Sequence, residues 1–269
     1  DKNILILGGG GYIGQPLSNY FLSKKYKVFC VDKLIYKNQK LPKKLKINKN
    51  FFFKNKNIKN FKFLNKIINS NNIENIVILS GLVGDPITKK YKKIAKLNNY
   101  TYIKNFIQNI NKTCIKKLIF ISTCSNYGIT KKGLANEKTK LSPKSLYAKD
   151  KVKIEKYIIK KKMKCSKSIL RFATAFGAST RMRFDLTIND FCKKFYEKLP
   201  FEVYDPLTWR PYCHINDFCR AIDKVLNAKK NIVDKQVFNV GSSKNNFRKI
   251  DIAKKISKFF INSNFQKTS

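Results

Sequence analysis

The stretch "ILILGGGGYIG" sets the strongest limit on what this chain can become. An apolar run that reads as a strand ends abruptly in glycines, and an amphipathic stretch follows at once. Gly8, Gly11 and Gly14 stand at GxxGxxG spacing, with Tyr12 and Ile13 between the last two. A tight turn, a close approach of backbone to an anion and close helix–strand packing each exclude a side chain, and the helix N-terminus attracts negative charge. Eighteen positions after Gly14, the run "KVFCVDK" closes on Asp32, where a carboxylate can accept hydrogen bonds from ribose hydroxyls. Strand, glycine turn, helix, strand and acid in this order predict a dinucleotide site. A carboxylate at position 32 repels a 2′-phosphate, which favours NAD over NADP.

The same alternation continues downstream. Asn3–Leu7, Lys27–Asp32, Phe51–Lys54, Asn75–Ser80, Lys117–Ser122 and Ser168–Phe172 read as buried strands. Gly11–Ser23, Phe61–Ser70, Thr88–Asn111 and Ser145–Lys162 read as helices between them. Strands separated by helices imply right-handed crossovers and an α/β fold, a parallel sheet covered on both faces. Beyond residue 173 the pattern loosens around Pro200, Pro206 and Pro211, and only a strand near Val237–Val240 and a helix from about Lys249 are evident. The expected division is 1–173 for nucleotide binding and 174–269 for a substrate lobe that returns a strand and helix to the first part. An opening Asp followed immediately by a strand suggests a piece of a longer chain.

The formal charge is 58 − 16 = +42, which admits nucleic acid as a partner. The lysines are spread along the whole chain, however, with no basic tail and no aromatic RNA-binding signature, so a solvated surface is the expected reading and nucleic acid is not. The arginines are more selective. All six (Arg171, Arg181, Arg183, Arg210, Arg220, Arg248) follow residue 170. In a chain that otherwise uses Lys, a retained Arg suggests a planar, bidentate grip on phosphate or carboxylate, with surface ion pairs the competing explanation for Arg181, Arg220 and Arg248. Seven cysteines without a CxxC pair fit reduced thiols and a cytoplasmic location, and a single His leaves no basis for a metal site. No apolar stretch reaches the ~18 residues of a membrane span, and a soluble protein is expected.

Two further motifs carry chemistry. "SLYAKDK" places Tyr147 and Lys151 at i and i+4 on one helix face, where an ammonium can stabilise a phenolate. About twenty residues earlier, "STCSNYG" puts hydroxyls and a thiol at the end of a buried strand.

With "GGGGYIG", "VDKLIY", "LSGLVGDP", "STCSNYG", "SLYAKDK", "LRFATAFG", "WRPYCHINDF" and "VFNVGS" in that order, the chain resembles the extended short-chain dehydrogenase/reductase family, in its nucleotide-sugar epimerase/dehydratase branch. The resemblance covers nearly the whole chain. It implies a Rossmann-type doubly wound parallel sheet with a smaller C-terminal substrate lobe, NAD as cofactor, a nucleotide-sugar substrate and a homodimer formed through Thr88–Asn111 and Ser145–Lys162. This chain ends sooner than most relatives, so part of the lobe, with one phosphate-binding Arg, is expected to be missing.

By position, the resemblance makes Tyr147 the catalytic base and acid, Lys151 the residue on the nicotinamide ribose, and Thr123 the group on the substrate hydroxyl. Asn98, in competition with Asn99, becomes the helix asparagine near the cofactor. Leu79, Ser80 and Gly81 line the cofactor cleft, with Ile78 where relatives often carry His. Phe172 lies near nicotinamide. Cys124, Ser125, Thr174, Arg183 and Arg210 fall on the substrate side, with Thr174 replacing the Asn of many sugar epimerases, and His214 is a packed structural residue. The implied reaction is epimerisation through a transient keto-sugar. Relatives that eliminate water carry an Asp-Glu pair where Cys124 and Ser125 stand, which disfavours a dehydratase; Cys124 is either a second proton carrier or a small neutral thiol. A dehydrogenase or ketoreductase, and a non-catalytic RNA-binding protein on the same fold, remain as alternatives.

Overall fold

The computed structural model describes residues 2–36, 39–110, 114–129, 133–260 and 266–267. The first half runs β1 (Asn3–Leu7), α1 (Gly14–Ser23), β2 (Lys27–Val31), α2 (Lys43–Lys46), β3 (Phe51–Lys54), α3 (Phe61–Ser70), β4 (Asn75–Ile78), α4 (Asp85–Lys90) and α5 (Lys92–Lys96). A π turn (Leu97–Thr101), α6 (Tyr102–Asn109), β5 (Lys117–Thr123), a 3-10 turn (Cys124–Tyr127), α7 (Leu146–Lys160) and β6 (Ser166–Phe172) follow. The remainder is β7 (Thr174–Phe176), α8 (Thr187–Tyr196), β8 (Glu202–Val203), β9 (Trp209–His214), α9 (Ile215–Asn227), α10 (Lys230–Val233), β10 (Gln236–Val240), β11 (Asn246–Arg248), α11 (Lys249–Ser257) and β12 (Gln266–Lys267).

Seven strands form one sheet in the order β10-β6-β5-β4-β1-β2-β3, parallel throughout. This is the doubly wound Rossmann-type arrangement. Period-two alternation in β1 explains the two layers that cover it. Ile4 and Ile6 face a cluster containing Leu17 and Phe21 of α1 and Ile222 and Leu226 of α9. Leu5 and Leu7 face the opposite cluster, with Leu64 and Ile68 of α3, Phe106 of α6 and Ile154 and Ile158 of α7. Each such fully buried aliphatic or aromatic side chain contributes about 1.5–3 kcal/mol relative to exposure.

The C-terminal part is interlaced with the sheet. β10 pairs with β6, Val240 level with Phe172, and α9 packs on the α1 face. β11, β9 and β7 make a small separate sheet, backed by Phe191, Phe195, Phe201 and Ile252 as a third core. No helix among the described residues is long and apolar enough to cross a membrane.

Three elements depart from the sequence expectations. The first helix begins at Gly14 rather than Gly11, because residues 8–13 form the turn itself. The expected Thr88–Asn111 helix is instead α4, α5, the π turn and α6, with Asn111 outside the described residues. The helix is interrupted at Tyr91, and its π turn carries Asn99, a buried side chain that donates to Leu82 O at 3.0 Å and accepts from Leu82 N at 2.6 Å. Widening the helix by one residue per turn there re-aims its neighbours, a device concentrated at functional sites. The third is the amphipathic α9, with Ile215, Phe218, Cys219, Ile222 and Leu226 on its buried face, which the sequence reading passed over.

Candidate active site

The parallel register brings the carboxyl ends of β1, β2 and β4 level and carries those of β5 and β6 three residues further, along the edge where crevices of such sheets form. Leu7 lies opposite Val31 and Ile78, and Thr123 lies opposite Phe172. Along this edge opens a cavity of about 540 Å³.

Its first wall is the glycine turn. Gly8 has φ +84, and a Cβ there would meet Ser80 N at 2.7 Å and Ser80 Cα at 2.8 Å; a Cβ on Gly14 would strike the backbone of Gly9 at 2.5 Å. Bare backbone at both points brings the strand end, the turn and the start of α1 together and shapes a cradle for a pyrophosphate. Gly11, Tyr12 and Ile13 complete this wall. Asp32 anchors the next. Its carboxylate accepts from Gly10 N at 3.0 Å and Leu34 N at 2.7 Å. Burial pushes its pKa up, against those hydrogen bonds, the Gln39 side chain and the charge of Arg181. Leu79, Ser80 and Gly81 close the cleft from β4. Of the two asparagines on the π turn, Asn98 lines the cavity while Asn99 secures the loop at Leu82.

Helix α7 supplies the other side. Ser145 caps it by accepting from Ala148 N at 3.2 Å, which fixes where the helix starts and so puts Tyr147 in its first turn and Lys151 in its second. Both line the cavity. Lys151 is only 2% exposed. Its Nζ donates to Ile121 O at 2.7 Å and sits 4.5 Å from the Phe120 ring centroid and 5.7 Å from that of Tyr147. Burial lowers its pKa to about 7, with Glu155 opposing the shift.

The segment "STCSNYG" divides by direction. Ser122, Thr123, Cys124 and Ser125 line the cavity, and Thr123 Oγ1 accepts from Ser125 N at 3.2 Å, capping the 3-10 turn. Asn126 and Tyr127 face inward. Asn126 donates to Ser122 Oγ at 3.0 Å and to Glu155 Oε1 at 2.7 Å. Arg171 donates to Glu155 through Nε at 3.1 Å and Nη2 at 2.6 Å, and through Nη1 to the Tyr127 hydroxyl at 2.9 Å. Tyr127 donates in turn to Asn239 on β10 at 2.7 Å. Burial raises the Cys124 thiol pKa, with the charge of Arg210 opposing.

Phe172 stacks on Phe218 with centroids 3.8 Å apart and planes 4° apart, and both rings line the cavity with Thr174. The arginines separate by partner. Arg171 is bound to Glu155, Arg183 to Asp185, Arg220 to Asp217 and Arg248 to Asp251. Arg183 therefore reaches the cavity with its fork already occupied. Arg181 stacks on Tyr36. Arg210 alone among the cavity arginines has neither an acidic nor an aromatic partner among the described residues. His214 caps α9, its Nδ1 accepting from Asn216 N at 3.2 Å.

The cavity also includes Tyr36, Gln39, Ile58, Arg181, Asp185 and Lys249, none of which the sequence reading assigned to a site. An acid and its hydrogen-bonding shell, a cradle of bare backbone and a phenol–amine pair on one helix face can together hold a dinucleotide and move a proton beside it.

The chain is similar to several known proteins. A family model described as the NAD dependent epimerase/dehydratase family matches residues 4–241. UDP-glucuronic acid 4-epimerase from Bacillus cereus, solved with UDP-glucuronic acid and NAD, superposes with a TM-score of 0.85 and 26% identity, covering 99% of this chain and 86% of that one. An uncharacterised protein of Methanocaldococcus jannaschii is 28% identical over 261 residues, 90% of this chain and 76% of its own length. The UDP-glucose 4-epimerase of Lactobacillus helveticus is 26% identical over 155 residues, 57% of this chain and 45% of the relative.

Proposed function

Because this chain belongs to the NAD dependent epimerase/dehydratase family, we propose that it inverts one carbinol centre of a nucleotide-activated sugar by reversible oxidation to a ketone. The observation that carries the reading is Lys151, a buried cation one helical turn from Tyr147, in the same cavity as the glycine turn and Thr123. NAD, the cofactor of the family, supplies a reversible hydride acceptor when bound.

The protein's own groups divide the remaining tasks. Gly8 to Gly14 and the start of α1 hold the pyrophosphate, and Asp32 takes the adenosine ribose hydroxyls. Lys151 orients the nicotinamide ribose and favours the phenolate of Tyr147. Tyr147 accepts the proton of the sugar hydroxyl, through or beside Thr123, and returns it when the carbonyl is reduced on its other face. Arg210, the cavity arginine with no ion pair or ring stack among the described residues, grips the diphosphate. Cys124 stays a neutral thiol because burial raises its pKa. With Ser125 beside it, the site lacks the acid–base pair that elimination of water requires, which supports epimerase over dehydratase. The similarity to a UDP-glucuronic acid 4-epimerase makes UDP-hexoses and UDP-hexuronates the substrates to test first. A dimer through α4–α6 and α7, where Tyr91, Ile94 and Leu97 are exposed, and a cytoplasmic setting for seven free cysteines complete the reading.

The test incubates purified protein and NAD+ with UDP-, GDP-, dTDP- and CDP-sugars and follows isomers by NMR. Epimer formation without net NADH is the expected result. Stoichiometric NADH with a released ketone would make the protein a dehydrogenase. No turnover together with salt-sensitive RNA retention would make it a binding protein.

A further inference from the structure

Arg181 belongs to the loop between β7 and α8, yet its contacts are with the nucleotide-binding half. Its guanidinium lies 4.3 Å from the centroid of the Tyr36 ring. Tyr36 follows β2 and is held by Gln39, which donates from its backbone N to Tyr36 O at 2.9 Å and accepts from Tyr36 N at 3.3 Å through Oε1. Gln39 is buried and its side chain also hydrogen-bonds Asp32. The neighbouring Thr180 donates to Gln15 Oε1. Gln15, fully buried in α1, donates to Gly10 O at 2.9 Å and Lys40 O at 3.0 Å. Tyr12 of the glycine turn ties the start of the same loop, donating to Gly177 O at 2.6 Å.

This loop is thus fastened to the turn and to the acid that define the adenosine end of the cavity, and both Arg181 and Tyr36 line that cavity. A planar guanidinium stacks on a ring as an ammonium does not, which gives a reason for arginine here in a chain that elsewhere uses lysine. We propose that the Arg181–Tyr36 stack is a clasp over the adenosine end of bound NAD, which must open for the dinucleotide to enter or leave. The proposal rests on NAD binding alone and not on the identity of the sugar. Held closed, the clasp keeps the redox change within one protein, as a reaction with no net oxidation requires.

The experiment loads the protein with NADH, adds excess NAD+ and follows release by the loss of bound-NADH fluorescence, with no sugar present. Arg181→Ala and Tyr36→Ala should each speed release roughly 3- to 30-fold, the range a partly desolvated cation–aromatic contact supports. Tyr36→Phe keeps the ring and should release at the unmodified rate. The Arg181→Ala/Tyr36→Ala double variant should release no faster than either single one, since both remove the same contact. Thermal unfolding of the cofactor-free variants, unchanged, identifies the effect as local. Release unaffected by either alanine, a Tyr36→Phe variant as fast as Tyr36→Ala, or additive effects in the double variant would each overturn the clasp.

Discussion

Helix α7 presents two buried charged regions one turn apart, and they are treated differently. At Glu155 the negative charge is met by Arg171 at 2.6 Å and by Asn126 at 2.7 Å, and the network continues through Tyr127 to β10. At Lys151 the positive charge meets a carbonyl and an aromatic face instead. The first region matches charge with charge and ties three strands and a helix together. The second leaves an amine at the cavity wall with no acid in contact with it among the described residues. Perturbation by burial together with proximity to a cleft is the physical mark of a working group, while a matched pair is the mark of a support.

The largest effect that tests this contrast is on turnover. Tyr147→Phe removes the proposed proton acceptor beside Lys151 and should lower the rate roughly 10²–10⁴-fold while NADH still binds; a retained rate, read by NMR of the sugar products, would detach the lysine region from chemistry. On the supporting side, Glu155→Ala strands Arg171 and should cost about 3–5 kcal/mol of stability by denaturant titration. Adding Arg171→Met should recover part of that loss, because the cost lies in the unpaired charge.

Lys151→Met should do the opposite in the cofactor-free protein and stabilise it. The folded chain releases the Lys151 proton near pH 7 and the unfolded chain near ~10.4. Between these values the unfolded state binds more protons, so stability of the unmodified protein rises with pH, and below about 7 the burial penalty is complete. The advantage of the variant should therefore shrink from pH 6.5 to pH 9.5, by up to about 3 kcal/mol at ~1.4 kcal/mol per unit; a constant difference would show that Lys151 is charged in both states throughout. The smallest effect is expected at Cys124→Ala, within about threefold in turnover, since a neutral thiol moves no proton. A loss comparable to that of Tyr147→Phe would make the thiol a third working group.

Much of this arrangement was legible in the sequence because local rules dictate it. The glycine spacing, the acid at the end of β2 and the i, i+4 pair on α7 each follow from chemistry within a few residues. What escaped depends on distant partners. The π turn exists because Asn99 reaches Leu82, and helical periodicity carries no trace of that bridge. Arg181 meets Tyr36 across 145 positions, so the surface ion pair that describes Arg220 and Arg248 does not describe it. β7, β8 and β11 are two or three residues long, too short for alternation to register. The amphipathic face of α9 is visible in "INDFCRAIDKVLN", but Pro200, Pro206 and Pro211 before it read as a loose lobe.

The pairing of β10 with β6 has a temporal side. Until residues 236–240 leave the ribosome, the strand that holds Arg171 and Phe172 has an open edge, and Tyr127 lacks its hydrogen-bond acceptor at Asn239. An early nascent chain can carry the glycine turn and α7 yet still expose a sticky flank, and such unpaired strand edges are where misassembly starts. Completion of the sheet waits for β10, and chaperone demand should fall when that strand arrives.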